Sequence, residues 1–294
     1  MLDQNLFDQF SGELDAQGSS TRRDALSRAG SLGAGLLAAA AIPSIFRSFL
    51  NPGLLHAQAA QPTVEQVLRF ALTLEYLEFE FYERGLLTSG LIPAQDRTLF
   101  QVFRDHEQAH VVFLEELLGL GRDAEKPDFD FTAGGAFPNW NTSYPTYRAL
   151  AQGFEDTGVR AYKGQAANLM GNKLALTAAL QIHSVEGRHA SMIRRRNGDF
   201  NEMAPQKGWI TGRQTGVVPA MVGGTAVGDA IYGPGNPASA FPAEDNVTQG
   251  GVNVGTLTFN PPLEGTAANK ITESFDEPLD MQTVLAIAGL FIRS

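Results

Sequence analysis

The stretch FRDHEQAHVVF, residues 103–113, sets two polar groups inside an apolar run. Phe103, Val111 and Phe113 favour burial, and between them Glu107 and His110 lie three positions apart. On a helix that spacing stacks the two side chains on one face. A carboxylate and an imidazole turned toward a core need partners there. A single Glu-x-x-His is weak, because such pairs also arise on solvated helix faces.

A second copy follows. HSVEGRHASMI, residues 183–193, holds Glu186 and His189, again with Ile182, Val185 and Ile193 beside them. Each copy is preceded by another acidic segment: FALTLEYLEFEFY (70–82) and FEDTGVRAY (154–162). At 100° per residue, Leu68, Ala71, Leu72, Phe79, Tyr82 and Leu86 fall within about 60° of Glu75. Glu75 therefore sits at the centre of an apolar face, while Glu80 falls on the far side and reads as solvated. Around Glu155 the same side carries Ala151, Val159, Tyr162, Ala166 and Leu169. Both segments read Glu-x6-Tyr: Glu75 with Tyr82, and Glu155 with Tyr162. Glu75 precedes Glu107 by 32 positions and Glu155 precedes Glu186 by 31. The chain thus repeats one half-site twice.

The surrounding pattern is helical from Thr63 to Asn197. The first helix is expected over Thr63–Leu87, ended by Ser89, Gly90 and Pro93, and the second over Ala94–Leu118, ended by Gly119 and Gly121. The third spans Tyr144–Leu169. After a turn at Gly171 and Asn172, the fourth spans Leu174–Arg196. Short links make each consecutive pair antiparallel. The aperiodic stretch Arg122–Asn141, roughly 20 residues, is long enough at about 3.3 Å per residue to run the length of a helix. The expected fold is all-α: a four-helix bundle with one long crossover. The two halves, related by a pseudo-two-fold axis, would bring four carboxylates and two imidazoles to one level of the core. A bare carboxylate in a core costs several kcal/mol or gives up its charge. Two divalent ions would balance four carboxylates. Oxygen-rich ligation with one imidazole per ion suits iron or manganese better than zinc. The alternative is a buried hydrogen-bonded network without metal.

The chain has 294 residues, 43% hydrophobic and 18% charged, an ordinary globular balance. Its formal net charge of -10 argues against nucleic acid and anionic membrane surfaces as partners. It has no cysteine, which excludes disulfides, zinc–thiolate sites and a cysteine nucleophile. Three regions are expected: an N-terminal segment (1–59), the bundle (60–197) and a C-terminal region (198–294). In the first, Arg22-Arg23, the Ala/Gly-rich run Ala29–Phe46 and Ala57-Gln58-Ala59 resemble a twin-arginine export signal, cleaved or retained; a membrane anchor is the alternative. The export reading implies the periplasm or cell envelope as the expected location. After Asn197, Gly, Pro, Thr and Asn dominate to about Asn269 with no helical period. This reads as an extended arm on the bundle or on a neighbouring subunit, with a disordered tail as the alternative. MQTVLAIAGLFI then reads as a short docking helix.

From about Val64 to Arg196, FALTLEYLEFEFY, FRDHEQAHVVFLEEL and HSVEGRHASMIR resemble the ferritin-like superfamily of carboxylate-bridged two-metal proteins. The resemblance is nearest to bacterial ferritin-like proteins related to plant desiccation-related proteins, and it covers under half of the chain. It implies that Glu107 and Glu186 bridge two ions, His110 and His189 each cap one, and Glu75 and Glu155 are terminal ligands. Tyr82 and Tyr162 would donate hydrogen bonds to carboxylates across the bundle; otherwise they are amphipathic core tyrosines. Glu78 is either a movable seventh ligand, as in rubrerythrin-like peroxidases, or a helix-edge residue facing water. His183 is either a proton relay or a structural histidine, and His106 an outer hydrogen-bonding residue. Two functions follow as expectations. One is an exported di-iron or di-manganese oxidoreductase acting on hydrogen peroxide or O2, catalase-, peroxidase- or ferroxidase-like, in stress protection. No CxxC iron–sulfur module is present to supply electrons, which favours disproportionation or iron oxidation. The other is a non-enzymatic, metal-stabilised, desiccation-protective envelope protein that assembles as a homo-oligomer through its arm. A storage cage ranks third.

Overall fold

Thr63 opens the first helix by bonding in both directions: its hydroxyl accepts from Gln66 N at 3.2 Å, and the Gln66 side chain accepts from Thr63 N at 2.8 Å. This satisfies two of the donors that a helix start leaves unpaired. The helix, α1, spans Val64–Leu87. α2 spans Ala94–Leu118 between Pro93 and Gly119, where a φ of 67° ends it in the left-handed conformation. Ser143 caps α3, Tyr144–Gln165. The Asn172 side chain accepts from Ala175 N in the first turn of α4, Lys173–Asp199. The structure is a computed structural model describing residues 61–199, 206–216, 218, 227–260, 262–263 and 267–293. The proposed export segment lies outside the described residues.

The expected bundle forms. α1 packs along α2, α3 along α4, and α1 against α3. One expected boundary shifts: α3 stops at Gln165, and Ala166–Leu169 tighten into a 3-10 turn. The C-terminal chain crosses at this point. A Cβ on Gly164 would lie 1.9 Å from Leu279 O, so only glycine admits the crossing. Leu279 N donates to Arg160 O at 3.0 Å.

Beyond the bundle come two six-residue helices, α5 (Val227–Tyr232) and α6 (Ala267–Thr272), and a two-residue hairpin, β1 (Thr248–Gln249) with β2 (Val252–Asn253), register Thr248 to Asn253. Fewer than two turns show no period in sequence, which explains why α5 and α6 were not expected. α7 (Met281–Ala288) is capped by Asp280 and packs on α1, α3 and α5. The crossover is tied to the chain's end, with Phe129 bridging Ile292 and Asp130 N donating to Phe291 O at 2.8 Å.

Arg160 fastens these segments. Fully buried on α3, it donates to the carbonyls of Glu277, Ile231, Gly233, Pro242 and Pro278 and pairs with Glu244 at 2.8 Å. An aromatic cluster fills the core beside the acidic level, with Phe81 stacked on Tyr147 at 4.5 Å and edge-on to Phe131 and Phe154. Among the described residues no helix is long and apolar enough to cross a membrane.

Candidate metal centre

Each bundle helix delivers one part of the centre. α1 brings Glu75, Glu78 and Tyr82; α2 brings His106, Glu107 and His110; α3 brings Glu155, Gly158 and Tyr162; α4 brings Glu186 and His189. Glu75, Glu107, Glu155 and Glu186 are all 0% exposed. Their donor atoms form two groups, each within 4.8 Å: Glu75, Glu107, His110 and Glu186, and Glu107, Glu155, Glu186 and His189. Glu107 and Glu186 are common to both. Two such groups of carboxylate and imidazole are able to coordinate divalent ions.

The two halves are reciprocal. His110 Nδ1 lies 3.0 Å from Glu75 Oε2 and 3.0 Å from Glu107 Oε2. His189 Nδ1 lies 2.8 Å from Glu107 Oε1 and 3.3 Å from Glu155 Oε2. The Tyr82 hydroxyl donates to Glu155, and the Tyr162 hydroxyl donates to Glu75. Each tyrosine thus reaches the carboxylate of the opposite half. Burial, and then the carboxylate beside it, pushes each phenol well above its ordinary pKa, so both remain donors.

Without a cation the charges fit poorly. Burial above all raises Glu107 to about 7, against the opposing pull of the neighbouring His110 and His189. Glu186 is held well above the usual carboxylate range by burial, then by Glu107, Glu78 and Glu75. Glu75 is lowered: burial opposes this, but the charge of His110 prevails. Burial disfavours imidazolium at His110 and His189, yet the adjoining carboxylates, led by Glu75 and Glu155 respectively, raise both to about 10.

The geometry tests whether ions fit. Glu107 Oε1, Glu155 Oε2, both Glu186 oxygens and His189 Nδ1 are buried without a hydrogen-bond partner. His189 Nδ1 and Glu107 Oε1 are only 2.8 Å apart and still lack hydrogen-bond alignment. Buried polar groups are rarely left so, since each orphaned atom costs on the order of 1–3 kcal/mol. Lone pairs converging on a common point are what an ion requires.

Residues 63–199 match the family described as Ferritin-like domain. A ferritin-like domain is present. Searches of curated proteins and of solved structures gave no match.

Within the ferritin-like domain Glu80 and Phe113 differ from expectation, and one of the two readings of Glu78 is excluded. Glu78 does not face water: it is 3% exposed, and burial, then Glu155, Glu107 and Glu75, raise its pKa well above the ordinary value. It belongs to neither four-residue group. Glu80 is half-buried rather than solvated, paired with Arg84 at 2.8 Å and Lys126 at 3.5 Å. Phe113 is 40% exposed although Phe103 and Val111 are buried. Six residues after Glu107 it has rotated about 120° off the inward face. His183 is half-buried, its Nδ1 without a hydrogen-bond partner and its pKa lowered by burial, and it joins neither group. His106 does bond outward from the centre, its Nδ1 2.9 Å from His189 Nε2. Burial, and then the positive charge of His189, keeps His106 below its ordinary pKa.

Sequence reasoning missed Gly158. A Cβ there would lie 3.1 Å from Glu186 Oε2 and 3.3 Å from Glu78 Oε1, so the missing side chain makes room for two carboxylates. A glycine inside an apolar-periodic helix costs about 1 kcal/mol, and that was the available signal.

Proposed function

We propose that this protein is a two-metal redox protein, holding iron or manganese and acting on hydrogen peroxide or O2 in protection against oxidative or drying stress. The observation that carries this reading is the pair of carboxylate–imidazole groups sharing Glu107 and Glu186, every member buried except the partly buried His110. Glu107 and Glu186 would bridge, Glu75 with His110 would complete one ion, and Glu155 with His189 the other. When bound, such a pair supplies electron exchange at one buried point. The chain's residues do the rest. Tyr82 and Tyr162 orient Glu155 and Glu75 through their hydroxyls. Glu78, its pKa raised by burial and then by Glu155, Glu107 and Glu75, would be placed to hold a proton within the core. The apolar and aromatic walls exclude bulk water.

We also propose export through the twin-arginine route to the periplasm or envelope, supported by Arg22-Arg23 and the apolar run after it. That route carries folded proteins, which suits a chain that takes up metal before leaving the cytoplasm. Assembly of copies through the C-terminal region belongs to the same proposal.

One observation favours a second reading, a structural protein without catalysis. With His110 and His189 protonated to about 10 and Glu78 and Glu186 neutral, the cluster neutralises much of its own charge. The orphaned atoms weigh against it. The deciding experiment is metal analysis of the purified protein followed by peroxide addition. Bound iron or manganese with oxygen release, lost in Glu107→Ala, supports the enzyme. A folded, metal-free protein without peroxide turnover supports the structural reading.

A further inference from the structure

We propose that His106 is a positioning residue for one ion of the pair, the one facing Glu107, Glu155, Glu186 and His189, and that the two ion sites are therefore unequal. The proposal rests on the reading of the centre as a two-ion site. His189 turns Nδ1 inward, 2.8 Å from Glu107, and its outer nitrogen Nε2 lies 2.9 Å from His106 Nδ1. A neutral imidazole carries one N–H and one lone pair. An ion on Nδ1 needs the lone pair there, which puts the proton on Nε2, where His106 Nδ1 accepts it. The contact selects the tautomer of His189 and fixes its rotation. The two rings lie 12° from parallel with centroids 5.2 Å apart, and Phe103 closes the other side of His189 at 4.4 Å.

The other half lacks this support. His110 also turns Nδ1 inward, but no described residue hydrogen-bonds its Nε2. The repeat explains why. His106 immediately precedes Glu107, and the position that immediately precedes Glu186 is Val185, which has no acceptor. The pseudo-two-fold repeat is broken one residue outside its ligands. An outer partner on a ligating histidine holds the ring and raises its basicity, and its loss typically lowers metal affinity about 10–100-fold.

Because His106 is exposed, replacing it leaves the core intact. The test is calorimetric titration of Mn(II) into metal-free wild type, His106→Ala and His106→Gln, whose amide oxygen still accepts. The expected result is two ions bound by wild type, one of them about 10–100-fold weaker in His106→Ala, and recovery in His106→Gln. The proposal fails if His106→Ala binds both ions as wild type does, weakens both alike, or is matched by His106→Gln. A wild-type protein that takes up no Mn(II) refutes the two-ion reading itself and removes the proposal with it.

Discussion

Replacing Gly158 with alanine should weaken metal binding while leaving stability nearly unchanged. The new methyl would stand 3.1 Å from Glu186 Oε2 and 3.3 Å from Glu78 Oε1. Those contacts are tighter than ordinary packing, so the carboxylates must retreat by a few tenths of an ångström. Both are side-chain ends, and the backbone need not move. In the helix itself, alanine gains roughly 1 kcal/mol over glycine. The crowding offsets part of this, so the melting temperature should stay within a few degrees of wild type. Metal sites tolerate displacements of only about 0.2 Å. Glu186 is common to both ligand groups, so its retreat should weaken both ions by about tenfold or more. Circular dichroism gives the melting temperature, and calorimetry with Mn(II) gives the affinity. A folded Gly158→Ala that binds both ions as tightly as wild type would refute the reasoning.

Stability of the metal-free protein should fall as pH rises. Glu107 is raised from 4.5 to about 7, and His110 and His189 from 6.5 to about 10, so over that span the folded chain binds more protons than the unfolded one. The imidazolium contribution is complete below 6.5 and is lost as pH passes through about 10. Midway between each group's unfolded and folded pKa the slope approaches about 1.4 kcal/mol per pH unit per proton. Glu75, whose pKa is lowered, acts oppositely at the acid end. Bound ions displace these protons, so affinity for Mn(II) should rise with pH and the loaded protein should show a flatter melting profile; parallel profiles would contradict this. Arg160→Met strands Glu244 and five carbonyls in the interior. It should cost about 3–5 kcal/mol in urea unfolding, and an unchanged midpoint would oppose the role assigned to Arg160. Tyr82→Phe and Tyr162→Phe each remove one hydrogen bond to a carboxylate of the candidate centre. Each should lower Mn(II) affinity about 10–100-fold with the fold retained, whereas no change in either would show that the hydroxyls do not position the carboxylates.

The inward residues were legible because helical spacing places them. Glu75, Glu107, Glu155 and Glu186 each mark an apolar stripe, and a stripe fixes direction without knowledge of the partner helix. The hydrogen bonds from Tyr82 to Glu155 and from Tyr162 to Glu75 were expected from the family resemblance, since spacing alone left both tyrosines open to a plain core role. What escaped depends on contacts distant in sequence. Arg160 takes its acceptors from Ile231 to Pro278, and a charged residue gives no hint from spacing that such carbonyls await it. The end of α3 at Gln165 is set by the chain crossing at Leu279. Glu78 sits about 60° from Glu75 on the helix, and only the packing of α3 at Gly158 decides that it lies inside.

The most direct measurement is anomalous X-ray diffraction at the iron and manganese edges from crystals of metal-loaded protein. Two peaks per chain are predicted, about 3.5–4 Å apart. One should be ringed by Glu75, Glu107, His110 and Glu186, the other by Glu107, Glu155, Glu186 and His189. A core without either peak, or ions bound elsewhere on the chain, would contradict the account.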